Sequence, residues 1–400
     1  MTRKTRITTF ALATGFAATG LIALAGDLNP PVGPVAPTHK TLTEVEPRTA
    51  INATNTPGDA DSLFKITLPG SYYLAGNITG VLGKHGVEIA ASGVTLDLNG
   101  FDLVGVPGMG LFDGVSTTVA SLRNIAVVNG SVRNWGDEGV DLGTLVAINW
   151  RVEGVHASGN GGTGIRTGIV GSVTNCLAYL NADTGIIAGD SCTVTDCSAA
   201  SNSGNGINTG SGCTVTDCLV NLNSGNGISP GFGCTVSNCT AYTNTGSGIS
   251  AAGGSTVTNF SAYDNAAWGI LVSNGCTVAD CTARANTLDG IACVFDCVIR
   301  GNTCSINGSG GDGAGIHATG IDNRIEGNNC TNADRGIDVD AGGNIIIRNT
   351  CSGNTTDWDI AANNVVGPIL DRRAPASAAI NGFSFAGSLG TTEPNANFSF

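Results

Sequence analysis

A glycine followed by isoleucine returns every 21 residues, at Ile165, Ile186, Ile207, Ile228, Ile249, Ile270 and Ile291. Two other series keep the same beat. One is apolar, running from Val173 through Val194, Val215, Val236 and Val257 to Val278. The other is polar, with asparagines at positions 160, 181, 202, 223, 244, 265, 286 and 307. Self-similarity at a fixed short period is the mark of a solenoid, in which each repeat buries its apolar face against its neighbours. Length in such an array counts coils rather than domains, so the 400 residues predict one elongated body. With 60 glycines, 12 prolines and 12% charged residues, the chain is turn-rich without being charged, as suits an all-β repeat protein.

One unit, Gly206 to Asn226, divides into three short pieces with period-two alternation, each bounded by Gly, Asn, Asp or Ser. Ile207 points inward from the first piece, Cys213 and Val215 from the second, and, past a corner at Asp217, Cys218 and Val220 from the third. Three strands per turn make a triangular prism, with each strand paired in parallel to its counterpart one coil away, about 4.8 Å distant. A leucine-rich repeat needs several leucines per unit, which these units lack, and no unit has room for the helix of a doubly wound α/β fold.

This pattern resembles the right-handed parallel β-helix proteins of the pectate-lyase-like superfamily, in an exported bacterial form. The likeness extends over 62–361 and includes inward apolar residues at Val87, Leu111 and Val140 and the stretch Gly93 to Gly105. The fold class predicted is an all-β, single-stranded parallel β-helix of about twelve coils. Before it, Met1–Ala25 reads as a secretory signal peptide, with three basic residues and then an apolar run ending in Ala23-Leu24-Ala25. A Pro-rich linker and cap, with a short helix possible at Thr41–Arg48, fills 26–61. A cap or tail fills 362–400, where Phe-Ser-Phe occurs at Phe383–Phe385 and again at Phe398–Phe400. Trp358 is placed to cover the last coil.

Removing the signal segment takes three of the 18 basic residues and no acid, leaving 15 basic against 31 acidic residues and a net charge of −16. Such a chain repels phosphate backbones, so nucleic acid is not an expected partner, and no integral membrane segment remains. Fourteen cysteines in an exported protein suggest a disulfide framework, but their spacing argues for a buried ladder of free thiols. Cys192, Cys213, Cys234, Cys276 and Cys297 form one file and Cys176, Cys197, Cys218, Cys239 and Cys281 another; stacked Cβ vectors run parallel, which disfavours bridging.

In polysaccharide enzymes of the resembled superfamily, substrate lies along the first-strand face, so the residue after each inward apolar position carries the chemistry. Here that row is quiet in the middle and charged at both ends. Asp137, Glu138 and Asp141 fall beside Arg166 near the amino end; His317, Asp338 and Asp340, with Asp312 and Arg335, fall near the carboxyl end. The resemblance implies that the first group could hold Ca2+ and orient an acidic sugar. A histidine near carboxylates suits acid or base work near neutral pH. Surface ion pairs of small energetic value are the plainer alternative at both ends.

The polygalacturonase and alginate-epimerase signatures are absent, so no catalytic residue, cofactor or metal is assigned. The outward threonines of the second strand, as in Thr193-Val194-Thr195 and Thr214-Val215-Thr216, resemble the ice-binding face of β-solenoid antifreeze proteins, though threonine is also a good exposed strand residue. The expectation is a secreted or cell-surface interaction protein that binds extracellular polysaccharide or serves as a structural rod. The competing expectation is a polysaccharide lyase, hydrolase or epimerase.

Overall fold

The computed structural model describes residues 46–143, 148–308, 311–371 and 393–400. The predicted signal peptide, most of the Pro-rich linker and Phe383–Phe385 lie outside the described residues. Among those described there is no α-helix: Glu46 to Arg48, the end of the expected capping helix, are irregular.

The unit Arg48–Phe400 is a right-handed parallel β-helix, the hand that parallel crossovers take. Its first face is a 14-stranded sheet, from Ser62–Ile66 to Thr356–Ile360. The second and third faces join into one 28-stranded sheet, because in two successive coils the corner between them is bridged by 11-residue strands, Arg123–Arg133 and Ile148–Ser158. The isoleucines of the repeat stand in register, Ile165 over Ile186 over Ile207 and onward to Ile337 and Trp358. Like stacks on like outside the core as well: the rings of Tyr242 and Tyr263 lie parallel, centroids 4.8 Å apart.

The coil count is close to the expected twelve, with Phe64 and Trp358 supplying further rungs at the two ends. One inward position is corrected. Leu111 is 79% exposed, and Val115 pairs with Val87 and Val140 in its place. The cause is a loop in that coil, with Gly108 and Gly110 at positive φ, which shifts the strand four residues along. Deeper in the same coil Trp135 fills the space left by Gly80, Gly86 and Gly114, its Nε1 donating to Leu103 O at 3.0 Å.

Two features explain the beat. The recurrent asparagines are buried turn residues; Asn223 Nδ2, for example, donates to Asn244 Oδ1 and to Ala199 O, both at 3.0 Å. The glycine before each isoleucine faces the next coil so closely that a Cβ at Gly206 would lie 2.7 Å from Gly227 O. Corners between second and third strands are single residues in the left-handed region, Asn175, Asp196, Asp217, Asn238, Asn259 and Asp280 at φ of 50–57°, where Asn and Asp are least disfavoured.

All fourteen cysteines are buried and free. Cys293, Cys304, Cys330 and Cys351 lie within strands, and the other ten act as corner hydrogen-bonding groups. Cys213 N–H donates to Cys234 Sγ at 3.3 Å, and Cys213 Sγ donates to Gly189 O at 3.1 Å. At two positions where a file lacks cysteine a polar side chain substitutes, Ser255 Oγ receiving Cys234 N–H and Asn302 Oδ1 receiving Cys281 N–H, whereas Phe260 fills the gap between Cys239 and Cys281. At the carboxyl end Asn397–Ser399 pairs in parallel with the third-face strand Thr350–Ser352, and Trp358 Nε1 donates to Ser399 Oγ at 2.7 Å.

Candidate functional site

The outward file of the first face reads Lys65, Glu88, Ser116, Asp141, Arg166, Ile187, Asn208, Ser229, then Ser250, Leu271, Ala292, His317, Asp338 and Asp359, in register. Ser116, which follows Val115, takes the place of Phe112, the residue after the expected inward Leu111. A second file lies beside it, made of the residue just before each repeat glycine, and includes Asp113, Glu138, Thr163, Trp268 and Asp289. The two files together build both charged ends.

At the amino end, Arg166 Nη2 meets Glu138 Oε1 at 2.6 Å, Glu138 N–H donates to Asp113 Oδ1, and Gly143 N–H donates to Asp141 Oδ1. One oxygen from each of Asp113, Glu138 and Asp141 falls within 4.8 Å of the others. All three side chains are buried, so they are not the exposed pair that sequence spacing suggests. Burial, with Asp137 and Asp113 adjoining, pushes Glu138 up to about 8 against the pull of Arg166. Ser116 Oγ and Arg166 Nε are buried without a hydrogen-bond partner. The oxygen-only donor set is of the kind hard cations accept, so the residues fit the Ca2+ that the resemblance implies. Asp137 itself is not among the three. Glu88, one coil further out, is a closed network: burial opposes its ionisation, but Ser62, Thr118 and Lys65 outweigh it and hold the carboxyl below its ordinary value.

The raised Glu138 has a consequence for stability. The folded state keeps a proton that the unfolded chain releases near 4.5, so stability falls as pH rises from about 4.5 through about 8. Glu138→Gln is expected to flatten that fall in urea titrations run across the range. An unchanged pH slope in the variant would contradict the assignment.

At the carboxyl end His317 Nδ1 lies 3.1 Å from Asp289 Oδ2, and Nε2 lies 3.1 Å from Asp340 Oδ2 and 3.8 Å from Asp338 Oδ2. Both ring nitrogens face carboxylate oxygens, an arrangement that favours the doubly protonated imidazole. The bond to Asp289, outweighing burial and aided by Asp340 and Asp338, pushes His317 up to about 9. Burial raises Asp338, while His317 and Arg335 pull the other way. Arg335 is held by Asp312, Asp338 and Asp359.

Between the charged ends lies a shallow depression of about 400 Å³, with Ser229, Pro230, Ser250, Leu271, Ser273 and Val294 in its lining. Two phenyl rings stand on the turn that follows the first-face strands, close in sequence to the lining residues Pro230 and Val294 without lining the depression themselves: Phe232, 67% exposed and lying over Gly253, and Phe295, 40% exposed and lying against Gly320. They sit three coils apart, about 14 Å at the usual strand spacing. On the second face Thr193, Thr214, Thr235, Thr256 and Thr277 form an outward hydroxyl file, one per coil.

The structure thus brings His317, Asp338 and Asp340 into one cluster, and sets Asp141 beside Arg166 in another. Sequence reasoning missed Asp113, Ser116, Asp289, Trp268 and the phenyl pair. The signal for Asp113, Trp268 and Asp289 was present, since each directly precedes a repeat glycine.

No family model matches the chain, and no curated protein matches it in sequence. Among solved structures, the A-module of an Azotobacter vinelandii mannuronan C-5 epimerase superimposes with a TM-score of 0.48 at 17% identity, covering 75% of this chain and 90% of that one. A periplasmic alginate epimerase double mutant gives 0.48 at 12% identity, covering 78% and 82%. The Dettilon tailspike protein gives 0.43 at 17%, covering 72% and 58%. No helix among the described residues is long and apolar enough to cross a membrane.

Proposed function

We propose that this protein is an exported, non-catalytic carbohydrate-binding β-helix, and that a glycan chain lies along its first face across the depression between Phe232 and Phe295. The carrying observation is that pairing of exposed rings with serine hydroxyls on an uncharged wall. A pyranose ring offers an apolar C–H face and a rim of hydroxyls. Phenyl rings cover the first, and Ser229, Ser250 and Ser273 both donate to and accept from the second. Charge sits at the ends of the face and not here, which favours a neutral glycan. The depression is shallow, so affinity depends on several sugars bound in series.

The test is binding of the full chain to a panel of neutral and uronic polysaccharides, with the double variant Phe232→Ala/Phe295→Ala beside it. Binding is expected to weaken about tenfold or more, since each ring contributes about 0.5–1.5 kcal/mol. Melting should be little changed, because both rings are exposed. Equal retention by both proteins would count against the reading, as would silence across the panel, the result expected of a purely structural rod.

A second reading rests on Glu138, a buried carboxyl raised to about 8 and paired with Arg166. Such a group suits proton transfer near neutral pH on an acidic glycan, with the Arg166 guanidinium supplying charge neutralisation. Unsaturated or reducing-end products from uronic polymers, lost in Arg166→Ala, would favour this enzyme over the binding protein.

A further inference from the structure

Where the first face ends, five carboxylates, of Asp289, Asp312, Asp338, Asp340 and Asp359, surround one guanidinium and one imidazole, those of Arg335 and His317. Even with His317 protonated, three negative charges stay uncompensated. Three donor atoms converge: His317 Nε2, Asp340 Oδ2 at 3.1 Å and Asp338 Oδ2 at 3.8 Å from it, all within 4.8 Å of one another. A tetrahedral ion with ligand bonds of about 2.0–2.1 Å sets its donors about 3.3 Å apart. The His317–Asp340 pair at 3.1 Å already has about that spacing, and Asp338, at 3.8 Å, would close in by about half an ångström through side-chain rotation.

The far side of the imidazole supplies an independent observation. Asp289 Oδ2 holds Nδ1, and Asp289 is itself fixed by Trp268 Nε1 at 3.1 Å and by the Ala314 N–H, which donates to Oδ1 at 2.7 Å. A carboxylate on the far nitrogen orients the ring, selects the tautomer and makes the near nitrogen a better donor, as is found behind metal-bound histidines. A simple surface ion pair has no use for a buried, doubly anchored support. Asp289 is buried and Asp340 exposed, so the cluster runs from a fixed interior to an open mouth.

We propose that His317, Asp338 and Asp340 bind a divalent transition-metal ion of the zinc type, with Asp289 as the supporting carboxylate and an outer coordination position open to water or ligand. The imidazole donor favours such an ion over calcium or magnesium, which take oxygen alone. On binding, the metal takes the place of the proton on Nε2, and Arg335 balances part of the remaining charge from the other side of Asp338.

The experiment is titration of Co2+ and Zn2+ into the full, reduced chain, read by absorbance and calorimetry. One equivalent per chain is expected, with visible d–d bands and without the intense near-ultraviolet thiolate band that the cysteines would produce if they were the ligands. His317→Ala, Asp340→Asn and Asp289→Asn should each weaken binding at least tenfold. Asp340 is exposed, so Asp340→Asn keeps the fold, with the melting temperature as check. A thiolate band, or unchanged affinity in Asp340→Asn, overturns the proposal. The glycan reading stands or falls separately.

Discussion

Replacing Asn223 with alanine is expected to destabilise the solenoid by about 3 kcal/mol or more, a large loss for one buried side chain. Asn223 Nδ2 donates to Ala199 O in the preceding coil and to Asn244 Oδ1 in the next, both at 3.0 Å. Its Oδ1 receives Asn202 N–H and Asn202 Nδ2, again at 3.0 Å. Alanine leaves several of these groups without a partner where water does not reach, and each buried unsatisfied group costs about 1–3 kcal/mol. The amide is also one link in a run from Asn160 to Asn307, so the loss interrupts hydrogen bonding on both sides. Urea unfolding of the variant, with hydrogen exchange to locate the opened coils, measures it. A change below about 1 kcal/mol would show that the ladder is not a main source of stability.

Gly206→Ala should cost about 2–4 kcal/mol, despite adding a single methyl group to a residue with ordinary φ. The new Cβ would lie 2.7 Å from Gly227 O, 2.8 Å from Asn223 Nδ2 and 3.2 Å from Val220 Cβ. The nearest of these is backbone, and moving it parts the first-face hydrogen bond that Ile207 N–H makes to Gly227 O at 2.9 Å. Gly76→Ala is the control, since nothing lies within 4 Å of its Cβ position; there the change should stay within about 0.5 kcal/mol. Equal midpoints for the two variants would remove the steric account of the glycine-isoleucine beat.

Both residues were visible as periodic letters before any coordinates, because a solenoid repeats its environments along with its residues. The isoleucine column and the cysteine files were legible for the same reason: each inward position meets its own equivalent one coil away. Legibility failed where the period failed. Leu111 was misplaced because the coil before Val115 carries an extra loop, and spacing carries no information about where within a coil an insertion falls.

The charged ends were legible as residues and not as sites. Asp141, Arg166, His317, Asp338 and Asp340 were found by reading one outward file, yet their chemistry depends on the neighbouring file. Glu138 is raised because it is buried, and His317 is fixed because Asp289 and Trp268 stand behind it. The phenyl pair keeps the beat, since Phe232 and Phe295 are three periods apart, but Gly253 and Asn274 occupy the equivalent positions between them, so no periodic letter marked the pair.

The 21-residue period by itself determined the parallel coils, the identity of the stacked columns and the burial of the thiols, since all three follow from equivalent residues lying one strand spacing apart. What only the tertiary structure decided was depth and lateral approach. How far a carboxylate is removed from water, and which side chain of an adjacent file reaches it, depends on irregular loops and turns that obey no repeat, and these set the protonation and coordination chemistry of both ends.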